Sequence, residues 1–266
     1  MSSQSQEDDR PLAGKRIVVT RPRAQADTFV RALEELGASV MLFPTIEVRP
    51  LHTEIPAALS TPFDWIIFTS ANAVESFFTV LEETERAQVD VGAARICAVG
   101  PSTAEALKHH GVSVDLIPEV YVAEAVLEAL RAEIGSDFKG KRILLPRGNI
   151  ARKFLPLQLR EHGAEVVEWT VYETVCPQTE PEAIDALVKA QPDLVTFTSA
   201  SSAQNFCTLL GEARLNRLNK ATAFVSIGPA TTEAATQLGM RIDAQPGRHD
   251  IEGLVEELID WSTPDE

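Results

Sequence analysis

Short runs of apolar and β-branched residues recur along the chain at Ile17–Val19, Trp65–Phe68, Ile96–Val99, Ile143–Leu145, Leu194–Phe197 and Phe224–Ile227. Runs this short, bounded by turn residues, read as buried strands. Each is followed by a small or hydroxyl-bearing turn and then by apolar positions at helical spacing. After the first run, Phe29, Leu33 and Leu36 fall on one helix face, and Gly37 stands where a C′ glycine ends a helix. A further strand follows at Val40–Phe43; its counterpart later in the chain is a helix ending at Gly163, then Val166 and Val167. Strands alternating with helices predict an α/β fold, with parallel sheets flanked by helices on both faces.

The same grammar occurs twice. Gly14-Lys15-Arg16-Ile17 returns as Gly140-Lys141-Arg142-Ile143, and Phe68-Thr69-Ser70-Ala71 as Phe197-Thr198-Ser199-Ala200. Gly100-Pro101-Ser102-Thr103 returns as Gly228-Pro229-Ala230-Thr231. The offsets are 126, 129 and 128 residues, close enough to indicate an internal duplication. Two stretches in equivalent places break the pattern: 44–51 (PTIEVRPL) and 168–177 (EWTVYETVCP) are extended, with proline at or near their ends. Either reads as a sheet edge or an interdomain linker. The leader over 1–13 and the tail after Trp261 are expected to be disordered.

Composition narrows the class. With 266 residues, 44% of them hydrophobic and 24% charged, the chain has enough apolar material for two compact domains or one large one. No apolar run reaches the roughly 18 residues of a membrane span. The polar, acidic start Met1–Asp9 is not expected to be a signal peptide. Cys97, Cys176 and Cys207 are widely spaced and fit a reducing cytosol better than a disulfide framework. A net charge of −15 argues against a nucleic-acid binder.

Conventional catalytic equipment is sparse. Of His52, His109, His110, His162 and His249, the adjacent pair His109 and His110 would point about 100° apart on a helix and cannot share a metal. The chain has no GxGxxG, Walker, HExxH or GxSxG motif. What stands out is the set of strand-to-helix junctions: Thr20-Arg21-Pro22, Thr69-Ser70-Ala71-Asn72, Gly100-Pro101-Ser102-Thr103, Pro146-Arg147-Gly148-Asn149, Thr198-Ser199-Ala200-Ser201 and Gly228-Pro229-Ala230-Thr231. In a parallel sheet they gather at the carboxyl ends of the strands, where ligands bind. Small residues there leave backbone N–H groups at helix N-termini open to anions. Taken singly, each Ser or Thr reads as an N-cap. Six together, with arginines at the equivalent positions 21 and 147, point to an anionic ligand. Tyr172, one of two tyrosines, lies in the second irregular stretch. It is either a proton or hydrogen-bond donor to a cleft or a ring packed on a sheet edge.

These segments, in this order and spacing, resemble the uroporphyrinogen-III synthase family over about Gly14–Leu258. The resemblance rests on GKRIVVTRP (14–22), LGASVMLFPTIEV (36–48), DWIIFTSANAVESFF (64–78), AVGPSTAEAL (98–107), GVSVDLIPE (111–119), VYETV (171–175), DLVTFTSASSAQNF (193–206) and SIGPATTEAA (226–235). It implies two α/β domains joined by a two-segment β-linker. One domain would be discontinuous (14–43 plus 178–262), the other would span 52–167, and the linkers would be 44–51 and 168–177, allowing hinge motion over a cleft. It implies cyclisation of hydroxymethylbilane, a linear tetrapyrrole with eight carboxylates, with inversion of ring D to give uroporphyrinogen III and water. This is a lyase reaction without cofactor or metal. The route passes through an azafulvene and a spiro intermediate. The resemblance assigns Tyr172 to departure of the hydroxyl. It assigns Thr103 and Thr231 to turns lining the cleft, and Ser70 and Ser199 to the two TSA junctions. Thr20, Arg21, Ala71, Asn72, Gly100, Ser102, Arg147, Ala200 and Gly228 complete the expected substrate-binding set. A cytoplasmic monomer with transient contact to hydroxymethylbilane synthase is expected, with no nucleic-acid or membrane partner. Relatives often carry a fused methyltransferase before the GKR segment; with thirteen residues preceding Gly14, methyl transfer is not expected here.

Two other readings stay open. One is a catalytically silent tetrapyrrole-binding homologue, disfavoured by the presence of Tyr172 with both threonines. The other is a two-lobed periplasmic-type binding protein, disfavoured by the start of the chain.

Overall fold

A computed structural model describes residues 10–51, 56–83 and 91–263. Its strands are β1 (Arg16–Val19), β2 (Ser39–Leu42), β3 (Glu47–Pro50), β4 (Trp65–Phe68), β5 (Arg95–Ala98), β6 (Arg142–Gly148), β7 (Glu165–Val175), β8 (Leu194–Phe197), β9 (Ala223–Ser226) and β10 (Ile242–Ala244). The helices are α1 (Asp27–Glu35), α2 (Ala71–Glu83), α3 (Pro101–His109), α4 (Ala123–Ile134), α5 (Phe154–Glu161), α6 (Pro181–Ala190), α7 (Ala200–Leu218), α8 (Pro229–Gln237) and α9 (Ile251–Ser262). All eight predicted strand runs fall on strands, within a residue or two except where β6 and β7 run on further. None of these helices is long and apolar enough to cross a membrane.

The chain divides into two units, 1–47 with 175–266, and 48–174. The first carries a sheet of order β10-β9-β8-β1-β2, the second a sheet of order β3-β7-β6-β4-β5. The pairs from β10 through to β2 and from β7 through to β5 are parallel. A parallel strand covered on both faces alternates between two cores. Val18 packs with Phe197, Phe206 and Phe224, whereas its neighbours Ile17 and Val19 pack with Leu33 and Leu254. In the second unit Ile66 and Phe68 meet Phe77 and Trp169, while Trp65 and Ile67 meet Leu130 and Phe138. Helices α1 and α5 are followed by Gly37 and Gly163, both at φ +94°, the left-handed position expected of a C′ glycine.

At the amino ends of the strands the duplication reaches the polar groups. The Asp64 carboxylate accepts the Arg142 N–H at 2.8 Å, and Asp193 accepts the Arg16 N–H at 2.7 Å. Asp115 accepts the Ile96 N–H at 2.7 Å, and Asp243 the Phe224 N–H at 2.9 Å. Burial alone would push the Asp64 carboxyl up. The Arg142 N–H and the Lys141 ammonium outweigh it and hold Asp64 below the ordinary carboxylate value.

Two expectations are revised. Much of the leader over 1–13 lies outside the described residues, but Leu12 is fully buried among Ile17, Leu33 and Leu258, and its N–H donates to the Leu36 carbonyl at 3.0 Å. An apolar side chain with a core to enter does not stay in solvent. The tail begins later than Trp261, because α9 continues to Ser262. The stretches 44–51 and 168–177, read as a sheet edge or a β-linker, hold strand: 47–50 form β3 at the edge of the second sheet, 168–175 complete β7, and the division between the two units falls inside both stretches.

Candidate active site

In the second unit the chain passes from β4 outward to β5 and then crosses to β6 on the other side of β4. The carboxyl ends of β4 and β6 therefore flank a topological switch point, where open α/β sheets bind ligands. A cavity of about 350 Å³ opens there, lined by Ser70, Tyr121, Pro146, Arg147, Arg152 and Tyr172 among others. That volume is at the small end for ligand pockets and suits part of a large ligand.

Tyr172 is aimed into the cavity by an irregularity in its own strand. β6 and β7 pair in register as far as Arg147 opposite Thr170, but the next pair is Gly148 opposite Tyr172. One extra residue in β7 makes a bulge, which turns the following side chain and fixes it there. The phenol end of the ring lies against Gly148: a Cβ at 148 would fall 2.5 Å from two ring carbons. The Asn149 N–H donates to the Tyr172 carbonyl at 3.1 Å, and Asn149 Oδ1 accepts the Thr174 N–H at 3.0 Å. The phenol oxygen lies 3.3 Å from Ser70 Oγ, which itself accepts the Ala73 N–H at 3.1 Å. Ser70 thus anchors the start of α2 and the phenol together.

The arginines of this cavity are held in ion pairs. Arg147 pairs with Glu168 and donates to the Ala151 carbonyl; its side chain is 11% exposed. Glu168 also accepts from Arg160 at 2.8 Å. Arg152, well exposed, donates to Glu124 at 2.7 Å, and that bond holds the Glu124 carboxyl below its ordinary value. The Arg152–Glu124 pair is exposed and weak enough for another carboxylate to exchange into, whereas the Arg147–Glu168 pair is largely sheltered. Among the described residues no group of three or more His, Cys, Asp or Glu is arranged to hold a metal ion. Cys97 is buried, and burial pushes its thiol up to about 12.

In the first unit the switch point lies between β1 and β8. There the polar groups bond to one another. Thr20 donates to the Thr196 carbonyl at 2.7 Å. Thr45, fully buried, donates to the Ser202 carbonyl at 3.0 Å, and its N–H reaches the Thr20 carbonyl at 3.1 Å. Asn205 Nδ2 donates to the Thr45 carbonyl at 2.7 Å. Arg21 is half-buried, its Nε donating to the Gln25 carbonyl at 3.1 Å, and burial lowers its pKa.

Comparison with known proteins decides the lineage. A family model described as uroporphyrinogen-III synthase HemD matches residues 27–256. The uroporphyrinogen-III synthase of Synechococcus elongatus is 33% identical over 96% of this chain and 98% of its own length. That of Chlorobaculum parvum is 36% identical over 87% of this chain and 93% of its own. The chain belongs to the uroporphyrinogen-III synthase family. The crystal structure of uroporphyrinogen-III synthetase from Helicobacter pylori shares the fold at a TM-score of 0.64 and 21% identity, covering 91% of this chain and 97% of that one.

Within this family fold the expected site residues separate into groups. Ser70, Arg147 and Tyr172 line one cavity. Ala71 and Asn72 open α2 beside it. Ser199 and Ala200 open α7, where Ser199 and Ser202 form a reciprocal capping box, so the Ser199 hydroxyl is spent on the helix. Gly100 and Gly228 precede α3 and α8, and no side chain caps either helix. Ser102 is exposed in the first turn of α3. Thr103 and Thr231, expected to line an open cleft, are 1% and 4% exposed. Thr103 shares the inward side of α3 with Ala106 and Leu107, and Thr231 that of α8 with Ala235, as three- and four-residue helical spacing requires. Thr20 is likewise buried and committed to β8. Pro146 and Arg147 lie inside β6 rather than at a helix start, so this junction is not an amide nest.

Tyr121, Arg152 and Glu168 escaped sequence reasoning, and Gly148 entered it only as a member of a junction. For Tyr121 a signal existed: it follows Gly100 by the 21 residues that separate His249 from Gly228. Extending the repeat would have marked both.

Proposed function

We infer that this chain carries out its family's lyase reaction, closing hydroxymethylbilane to uroporphyrinogen III with inversion of ring D and release of water. The observation that carries the reading is a tyrosine fixed over a switch-point cavity, beside two arginines of which Arg152 has an exposed, exchangeable partner, in a chain a third identical to uroporphyrinogen-III synthases along almost its whole length.

The Tyr172 phenol donates its hydrogen bond, or its proton, to the departing hydroxyl as the C–O bond breaks. Ser70, 3.3 Å away, keeps the phenol oriented. The nitrogen lone pair of the terminal pyrrole forms the azafulvene. The substituted carbon of ring D attacks it to give the spiro intermediate, and fragmentation with re-closure gives the inverted ring. Arg152 receives a substrate carboxylate in exchange for Glu124, and Arg147, held by Glu168, adds its charge to the cavity wall. The uncapped start of α3 offers N–H groups to other carboxylates. Most of the acceleration comes from holding a flexible chain in the attacking conformation. The reading takes the active species to be a cytoplasmic monomer that meets hydroxymethylbilane synthase only in passing.

The test is product analysis. Hydroxymethylbilane generated in situ from porphobilinogen should yield predominantly isomer III. Isomer I at the uncatalysed ratio, with tetrapyrrole still bound, would instead favour a silent binding homologue.

A further inference from the structure

The chain has two tyrosines, and both line the cavity at the switch point of the second unit. Tyr121 stands at the apex of a tight turn in which the Val122 N–H donates to the Val120 carbonyl at 2.9 Å. Its side is braced by backbone: a Cβ on Gly100 would fall 3.0 Å from Tyr121 Cγ and 3.2 Å from Cδ1. Gly100 has extended backbone, so glycine there provides room for the ring rather than an unusual conformation. A ring so placed is fixed, yet Tyr121 is 58% exposed. Around it Ile117, Val120 and Val122 are 45%, 60% and 42% exposed, and Ile150, next to the cavity-lining Ala151, is 68% exposed. Of these Tyr121 and Val122 line the cavity themselves, and exposed apolar surface at a cavity mouth marks a ligand face.

Nothing polar about Tyr121 is needed to explain this placement. A pyrrole ring is flat, electron-rich and apolar on its faces, with its carboxylate arms at the edge. Arg147 and Arg152 line the same cavity and are there to meet such arms. Building on the function proposed above, we propose that Tyr121 is the stacking face that seats one pyrrole ring of the tetrapyrrole over the cavity, with the apolar rim covering the adjoining methylene bridges. Tyr121 is then a binding and orienting residue, distinct from Tyr172, which meets the leaving group. An aromatic face in van der Waals contact with a second π-system favours an offset stack. Its hydroxyl is not required.

The experiment measures KM and kcat for hydroxymethylbilane, and separately the equilibrium binding of uroporphyrin III, which needs no turnover. Tyr121→Ala should raise KM and weaken uroporphyrin III binding by on the order of tenfold, with a smaller change in kcat. Tyr121→Phe should restore both to within about threefold, and Tyr121→Leu should not. Gly100→Ala should displace the ring and raise KM in the wild-type background, yet add nothing to Tyr121→Ala, since the two changes act on one contact. Unchanged KM and binding in Tyr121→Ala, full rescue by Leu, or additive effects of Gly100→Ala would each overturn the proposal. Failure of the wild-type chain to make isomer III would instead overturn the functional reading and the inference with it; the wild-type product ratio separates the two cases.

Discussion

At the amino ends of their strands the two units are near copies. Asp64 and Asp193 tie neighbouring strands through backbone N–H groups, and Asp115 and Asp243 do the same one strand further out. At the carboxyl ends they part. In the first unit β2 stops at Leu42, and Thr45 turns in to bond with Thr20, Ser202 and Asn205. In the second, β7 runs on past the equivalent point, and its bulge presents Tyr172 to an open cavity. A duplicated scaffold can keep the bonds that hold the sheet while its two switch points take different work: one closed by its own polar groups, the other open to a ligand.

The largest effect expected from breaking this contrast is at Tyr172. Tyr172→Phe removes the donor while keeping the ring on Gly148. Turnover should fall by on the order of 10–100-fold, the low end of general-acid contributions, and the proportion of isomer III should fall as solution closure competes. Normal turnover with a normal isomer ratio would remove the phenol from the reaction.

Closing bonds in the first unit should matter to stability instead. Thr45→Val removes the buried hydroxyl's bond to the Ser202 carbonyl and should cost about 0.5–1.5 kcal/mol in urea unfolding, with kcat within about threefold of wild type. A large loss of kcat in folded protein would mean that this switch point also takes part in the chemistry.

Arg147 and Arg21 occupy equivalent positions in the duplication, so they sharpen the comparison next. Arg147→Ala should raise KM by about tenfold, close to 1.4 kcal/mol, as for one charge-assisted bond. Arg21→Ala, at a residue that is not part of that cavity's lining, should raise it less. Equal effects would contradict the division of labour.

The smallest effect belongs to the shared base. Asp64 is held below its ordinary value, so the unfolded chain binds its proton more readily than the folded one. Its contribution is present above the ordinary carboxylate range and is lost as pH falls through the lowered folded value. The side chain is more than a third exposed, so Asp64→Asn should cost less than about 1 kcal/mol at pH 7, and the difference should vanish in acid. A larger cost persisting below pH 3 would point to packing rather than charge.

Much of the scaffold was legible because buried parallel strands announce themselves: Trp65–Phe68 and Leu194–Phe197 were bounded to the residue. Leu12 was not, since one apolar residue in a polar leader carries no periodicity. At the site, Tyr172 stood out by rarity and by its setting, and Ser70 by its repeat. The burial of Thr103 and Thr231 follows from helix phase, which a short turn motif does not reveal. The pairing of Arg147 with Glu168 depends on two adjacent strands, and the bulge that sets Tyr172 is a relation between β6 and β7; neither is written in one stretch of sequence.

The contact between Gly148 and the Tyr172 ring bears on how variants of this chain should be ranked. By the usual measure of harm, distance from the reacting atoms and loss of a functional group, Gly148→Ala looks mild: it deletes nothing and adds one methyl group. Yet that methyl would stand 2.5 Å from the ring it must coexist with. Such an allele would encode a protein that carries every side chain the reaction uses and yet turns over about as slowly as Tyr172→Phe. In a mutational scan, position 148 should group with Tyr172 rather than with the other glycines of the chain.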